Sequence, residues 1–171
     1  MARAHLVCGG YPAGATAGHD MDYARRRLLD LLEPWQTTVS NDFTDLEKYL
    51  PQCELLVTYV AGPFLTPQQA DEVEHWMENG GRWVALHGTS GGKAARIPDS
   101  NRRKMVKQEH HRALGAFFLN HPPLARFTVD VAPSGLTEGV PASFDVLDEM
   151  YLIEVQDPEV EVLLTTKMAK D

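Results

Sequence analysis

Over its first 92 residues the chain repeats one pattern: a short, nearly uninterrupted apolar run, a glycine-bearing turn, then a segment with apolar residues at helical spacing. The runs are His5-Leu6-Val7-Cys8 before Gly9-Gly10, Leu55 to Val60 before Ala61-Gly62-Pro63, and Trp83-Val84-Ala85-Leu86 before His87. Residues that are apolar in succession predict strands covered on both faces. Thr37 to Ser40 adds a β-favouring stretch. Between these, Ala24, Leu28, Leu31, Leu32 and Trp35 recur at helical spacing after Asp20, and Thr44-Asp45-Leu46-Glu47 reads as a capping box for a short helix stopping at Pro51. Thr66-Pro67-Gln68-Gln69 supplies an N-cap, a proline at the first helical position and a glutamine three residues after the cap. The helix it opens places Ala70, Val73 and Trp76 or Met77 on one face and closes at a left-handed Gly80. Strands alternating with helices predict an α/β fold, a doubly wound parallel sheet with right-handed crossovers and helices on both faces.

Beyond Gly92 the pattern loosens. Lys93 to Ser100 reads as loop, Arg102 to Leu114 as helix, Arg126 to Val131 as a half-exposed strand, and Asp145–Val155 and Val160–Thr166 as two final strands. No internal sequence repeat of fixed period and no interdomain linker is visible, so residues 1–171 are expected to form one domain. A composition of 43% hydrophobic and 23% charged residues excludes a disordered chain. A net charge of -8 argues against nucleic acid as the partner and for a small neutral or polar ligand. Cys8 and Cys53, the chain's two cysteines, adjoin expected strands and are read as buried reduced thiols of a cytoplasmic protein. The apolar stretch at the N-terminus is too short for a secretory signal or a membrane span.

In an open parallel sheet each strand delivers its following loop to the same edge, where ligands gather at the reversal of strand order. The Gly9–Asp20 loop, the Ala61–Pro63 turn and the His87–Gly92 loop should therefore meet, bringing together His19, Asp20, His87, Thr89 and Ser90. Gly10, Gly62 and Gly88 suit close backbone approach to a ligand, although the chain shows no P-loop, GxGxxG or flavin motif. Imidazoles beside carboxylates can exchange protons near neutral pH or hold a divalent metal, and spacing alone does not separate the two. His121 before Pro122-Pro123 and Glu149 of the Asp148-Glu149 pair are the further candidates. Gly88-Thr89-Ser90-Gly91-Gly92 matches the GxSxG nucleophile elbow after a strand, but Pro98 interrupts the helix that should follow and no histidine comes after the acidic pair. In an amidotransferase a thiolate would stand at that elbow, and no cysteine does. His110-His111 lie in a basic stretch with seven of the chain's 16 Lys and Arg residues, read as a solvated helix face or, functionally, as a contact for an anion or an acidic subunit surface.

Taken in order, Gly18-His19-Asp20, Leu65 to Gln69, Gly80 to Gly88, Phe118 to Pro122 and Asp148-Glu149-Met150-Tyr151 resemble the ThuA-like (trehalose utilisation) domain. The resemblance spans Leu6 to Thr165. It implies a flavodoxin-like three-layer sandwich with a mostly parallel central sheet, within the class I glutamine amidotransferase-like superfamily but without its cysteine nucleophile. It also implies a role in carbohydrate utilisation, a carbohydrate ligand, and His19, Asp20, His87, His121 and Glu149 as site residues. Family members usually continue into a tryptophan-containing strand, a hairpin and a further Gly-His, whereas this chain stops at Asp171, so a late strand and one imidazole are expected to be missing. Three readings follow: a carbohydrate-acting enzyme using acid, base or metal chemistry; a non-catalytic sugar-binding or assembly module; and a Ser90-dependent hydrolase. Homo-oligomerisation is expected by analogy with other domains of this architecture.

Overall fold

A computed structural model describes residues 1–10 and 19–168 of the chain. Gly14 and Gly18 of the glycine-rich first loop, and Asp171, lie outside the described residues. The four early runs become β1 (Arg3–Gly9), β2 (Gln36–Ser40), β3 (Leu55–Val60) and β4 (Arg82–Leu86). They form one sheet in the order β2-β1-β3-β4, every neighbouring pair parallel. Strand order reverses between β1 and β3, which fixes the position of the switch point.

Each face of this sheet carries its own helical layer. Helix α1 (Met21–Leu31) lies over Ala4, Leu6, Cys8 and Val57, with Met21 and Leu32 completing that apolar cluster. On the opposite face α2 (Leu46–Tyr49) and α3 (Pro67–Glu78) cover Val7, Leu56 and Val60 through Leu46, Ala70 and Val73. The three-layer α/β arrangement is therefore the doubly wound sheet the residue pattern predicts and the flavodoxin-like sandwich the resemblance implies. At α3 the capping box forms as read: Thr66 Oγ1 accepts from the Gln69 amide at 3.2 Å while Gln69 Oε1 accepts from the Thr66 amide at 3.1 Å. At α2 it does not. The helix starts one residue late, its N-cap is Asp45 with no side-chain bond, and a 3-10 turn carries on through Pro51 to Gln52. The Thr44 amide is already bound to Asp42 Oδ1 at 2.8 Å, so a local turn takes the donor that would have opened the helix earlier.

The second half departs further from the periodicity. Lys93–Arg96 (β5) and Arg103–Val106 (β6) form an antiparallel ribbon in place of a loop and the first turns of a helix. Only His110–Leu114 (α4) is helical, closed by a left-handed Gly115 at φ +65°. Ala116–Asn120 (β7), Ala125–Val131 (β8), Ser143–Asp148 (β9), Leu152–Val155 (β10) and Leu164–Thr165 (β11) follow. The stretch read as one strand from Asp145 to Val155 is two: β9 pairs with β8, whereas β10 pairs with β7. The break between them, at Glu149 to Tyr151, is where the chain passes from one small sheet to another. The last strand shrinks to two residues, joined to β8 in the order β11-β8-β9.

Candidate functional site

Three close approaches of backbone show that the loops after β1, β3 and β4 meet. A Cβ on Gly10 would run into the Gly62 carbonyl and the Ala61 amide, and a Cβ on Gly88 into the Val60 carbonyl. Gly10 and Gly62 also hold φ values of +118° and +111°, which a side chain would strain. The packing of these loops thus accounts for all three glycines.

His87 stands at the exit of β4 with φ +51°, a left-handed backbone uncommon outside glycine, which asparagine, aspartate and histidine adopt more readily than other side chains. The sharp strand-exit turn expected at Ser90 therefore falls three residues earlier. No α-helix follows: His87–Ser90 is a 3-10 turn, Ser90 Oγ donates to the His87 carbonyl at 3.0 Å, and the ribbon begins at Lys93. The serine elbow is not assembled. Thr89 is buried with its side chain in the interior.

Around His87 the rings are close. Tyr59 stacks on it with centroids 5.0 Å apart, His19 meets it edge-on at 4.1 Å, and the Tyr151 hydroxyl lies 2.7 Å from Nδ1. Among the described residues His19, Asp20, Tyr23, Arg27, Tyr59, Leu86, His87, Leu124, Asp148, Glu149 and Tyr151 line a cleft of about 830 Å³. This cleft opens at the carboxyl edge of the sheet on the α1 side. His121 is not in its wall but stands behind it, stacked on Tyr151 at 5.9 Å with Nε2 3.7 Å from Glu149 Oε2. Four of the five residues expected to do chemistry thus line one space, and the fifth supports it. Gly10, Gly62, Gly88, Thr89 and Ser90 do not line it. Asp20 also serves the fold, since its Oδ1 accepts from the Tyr23 amide at 2.8 Å and caps α1.

Burial holds the His87 imidazole below its ordinary pKa, helped by His19 and His121 and opposed by the carboxylates Glu149 and Asp148. That shift favours the neutral ring at pH 7, and Nδ1 and the Tyr151 hydroxyl share one hydrogen bond whose direction follows the imidazole tautomer. Among the described residues no three His, Cys, Asp or Glu side chains converge in a way that could hold a metal ion.

Behind the turn lies a second histidine pair. His110 Nε2 donates to the Thr89 carbonyl at 3.1 Å, and His111 Nε2 is 3.1 Å from the carbonyls of Ser90 and Gly91. Both residues are 1% exposed, and burial, with His111 beside it, pushes His110 down to about 4. Arg112 on the next position ties α4 to α3 through Glu74 and Asp71. The pair read as a solvated helix face is a buried latch on the turn that carries His87.

Tyr59, Tyr151 and Arg27 join the cleft without any motif in the sequence marking them as site residues. Tyr151 follows the acidic pair by two residues, and that adjacency is the signal that could have found it.

Compared with known families, residues 15–171 match ThuA, described as trehalose utilisation. Among solved structures, a ThuA-like protein from Bacteroides uniformis matches at a TM-score of 0.70 and 22% identity, over 96% of this chain and 68% of that one. At that identity the likeness shows the fold. An exo-β-1,4-mannosidase from Opitutaceae bacterium strain TAV5 matches at a TM-score of 0.47 and 14% identity, over 96% of this chain and 27% of that one, a likeness too low to bear on fold or function. No curated protein matches the chain.

Proposed function

The chain belongs to the ThuA family of trehalose utilisation, and from that premise we propose that it binds trehalose or a related disaccharide in the His87 cleft and exchanges a proton with it. The observation that carries this reading is the pairing of a strained, half-buried His87 with the Tyr151 hydroxyl at 2.7 Å inside a cleft walled by aromatic rings and carboxylates.

Sugar rings present flat C–H faces and a rim of hydroxyls. Tyr59, Tyr151 and Tyr23 offer apolar ring surface for the first, and Asp20, Arg27, Asp148 and Glu149 offer acceptors and donors for the second. In the proton step, Tyr151 takes a proton from a sugar hydroxyl, or from a carbon beside a keto group, as its own phenolic proton passes to His87 Nδ1. The imidazolium so formed faces Glu149 and Asp148, whose charge favours it. His19, edge-on to His87, and His121, beside Glu149, complete the proton-bearing groups. Glutamine amidotransfer is not proposed, because His87 stands where that chemistry needs a thiolate, and both cysteines are buried elsewhere, the Cys53 thiol pushed up to about 11 by burial. Two free thiols support a cytoplasmic location. No described helix is long and apolar enough to cross a membrane.

Calorimetric titration with trehalose and with a keto-disaccharide tests the reading. Binding by the wild type, weakened at least about tenfold in His87→Ala, is the expected result. Tyr151→Phe should retain binding but abolish exchange of the carbon-bound proton next to the keto group, followed by deuterium uptake. Equal affinity in wild type and His87→Ala would overturn the site. Binding with no exchange in the wild type would leave a sugar-binding module without chemistry.

A further inference from the structure

Charge in this chain is divided by region. The β5–β6 ribbon and its flanks carry Lys93, Arg96, Arg102, Arg103, Lys104 and Lys107 against a single carboxylate, Asp99, whereas from Asp130 to Glu161 nine carboxylates occur and no Lys or Arg. Blocks of one sign on this scale create opposed surface potentials on one molecule. The ribbon is only lightly packed: no residue from Lys93 to Val106 is buried, and Ala95, Ile97 and Met105 are half-covered. A lone two-stranded ribbon is marginal in water unless something packs on it. Its foot is tied to the chain by Lys107, whose Nζ lies 2.5 Å from Glu154 Oε1 on β10. Among the described residues the four cations within the strands themselves make no ion pair.

The complementary surface is the outer face of the β8–β9–β11 sheet. Strand alternation turns Phe127, Val129, Phe144 and Val146 inward and leaves Asp130 and Asp145 outward and exposed, with Arg126 at the opposite end of that face from Asp130.

We propose that the β5–β6 ribbon of one copy docks on the outer face of the β8–β9–β11 sheet of a second copy, so that the protein self-associates through opposite charges. A second copy fits better than a polyanion, because the chain as a whole carries -8 and its acidic half would be repelled by phosphates. Two copies related by a twofold axis make the contact twice.

Sedimentation velocity on the full chain at low and high salt tests this. Charges that attract across an interface lose reach as salt shortens the screening length, from about 10 Å at 0.1 M to about 3 Å at 1 M. The expected result is a dimer at low salt whose association weakens about tenfold or more at high salt. Arg96→Glu with Arg103→Glu should be monomeric at low salt, and so should Asp130→Lys with Asp145→Lys. Mixing the two variants should restore association, since the reversed charges complement each other. All four side chains are exposed, so circular dichroism should not change. A wild type that is monomeric at every salt concentration, a dimer indifferent to the reversals, or variants that stay apart when mixed would overturn the proposal. Retention of a monomeric wild type on heparin would assign the ribbon to a polyanion instead.

Discussion

Residues 3–92 and residues 93–168 are built on different terms. Both apolar clusters lie within the first part, between Ala4 and Trp83 or Leu86. In the second, the buried described side chains are His110, His111, Phe117 and Val129, two of them polar. The first part is a parallel sheet sealed between helical layers. The second is a series of short antiparallel pairs, exposed on at least one face and joined to the first by directed polar contacts: the histidine latch and the Arg112 clamp on Glu74 and Asp71. Apolar burial makes a scaffold that tolerates little change, while polar attachment places particular groups on it. The candidate site needs both, taking His19, Tyr59 and His87 from the scaffold and Glu149 and Tyr151 from the attachment.

If burial is what separates the two regions, deleting a core side chain should cost far more in the first than in the second. Leu56→Ala, fully buried under α3, should destabilise the fold by about 2–5 kcal/mol. Ile153→Ala on β10, 39% exposed, should cost less than about 1 kcal/mol. Urea titration of both variants is the check, and equal losses would dissolve the distinction.

The latch that joins the two regions should be sensitive to pH. His110 is depressed to about 4 in the folded chain, so between that value and the unfolded value of 6.5 the unfolded chain binds the extra proton. Its stabilisation is fully present above pH 6.5 and is lost as pH falls toward 4. The loss amounts to about 3 kcal/mol when complete, of which about 2 kcal/mol is reached by pH 5. His5 and His87, also lowered by burial, act with the same sign. Chemical denaturation at pH 7 and pH 5 should show this loss in the wild type and a smaller one in His110→Gln.

The smallest effect concerns two caps inside the scaffold. Thr66→Ala should cost about 1 kcal/mol, because it removes a bonded cap from α3. Asp45→Ala, at an N-cap with no side-chain bond, should change stability by less than about 0.5 kcal/mol. Thermal unfolding of the two variants measures the difference.

The same contrast explains what can be read from the residues. β1, β3, β4 and α3 are legible because burial on both faces, or on one helical stripe, writes a strong apolar pattern and because Thr66 to Gln69 is a complete cap. The ribbon is not, since no residue from Lys93 to Val106 is fully buried and the basic run Arg102-Arg103-Lys104 suits a helix face equally well. Local periodicity overstates the length of α4 for a tertiary reason: Gln108, His110 and His111 spend their bonds on one another and on the 89–91 carbonyls, so helix begins only at His110. The convergence of His19, Asp20 and His87 follows from topology alone. That of Tyr151 does not, because its approach to His87 depends on the break between β9 and β10, which the mostly apolar stretch from Asp145 to Val155 conceals.

One cleft, centred on His87 and walled from both regions, is held to receive the ligand. Its most direct test is an NMR titration with trehalose, following the imidazole signals of His19, His87 and His121 and the ring signals of Tyr59 and Tyr151. The His87, His19, Tyr59 and Tyr151 signals should move together on one binding curve, and binding should fade as pH falls and His87 gains its proton below its ordinary value. Shifts confined to the groove lined by Leu50, Trp76 and His75, with His87 and Tyr151 unmoved, would contradict it.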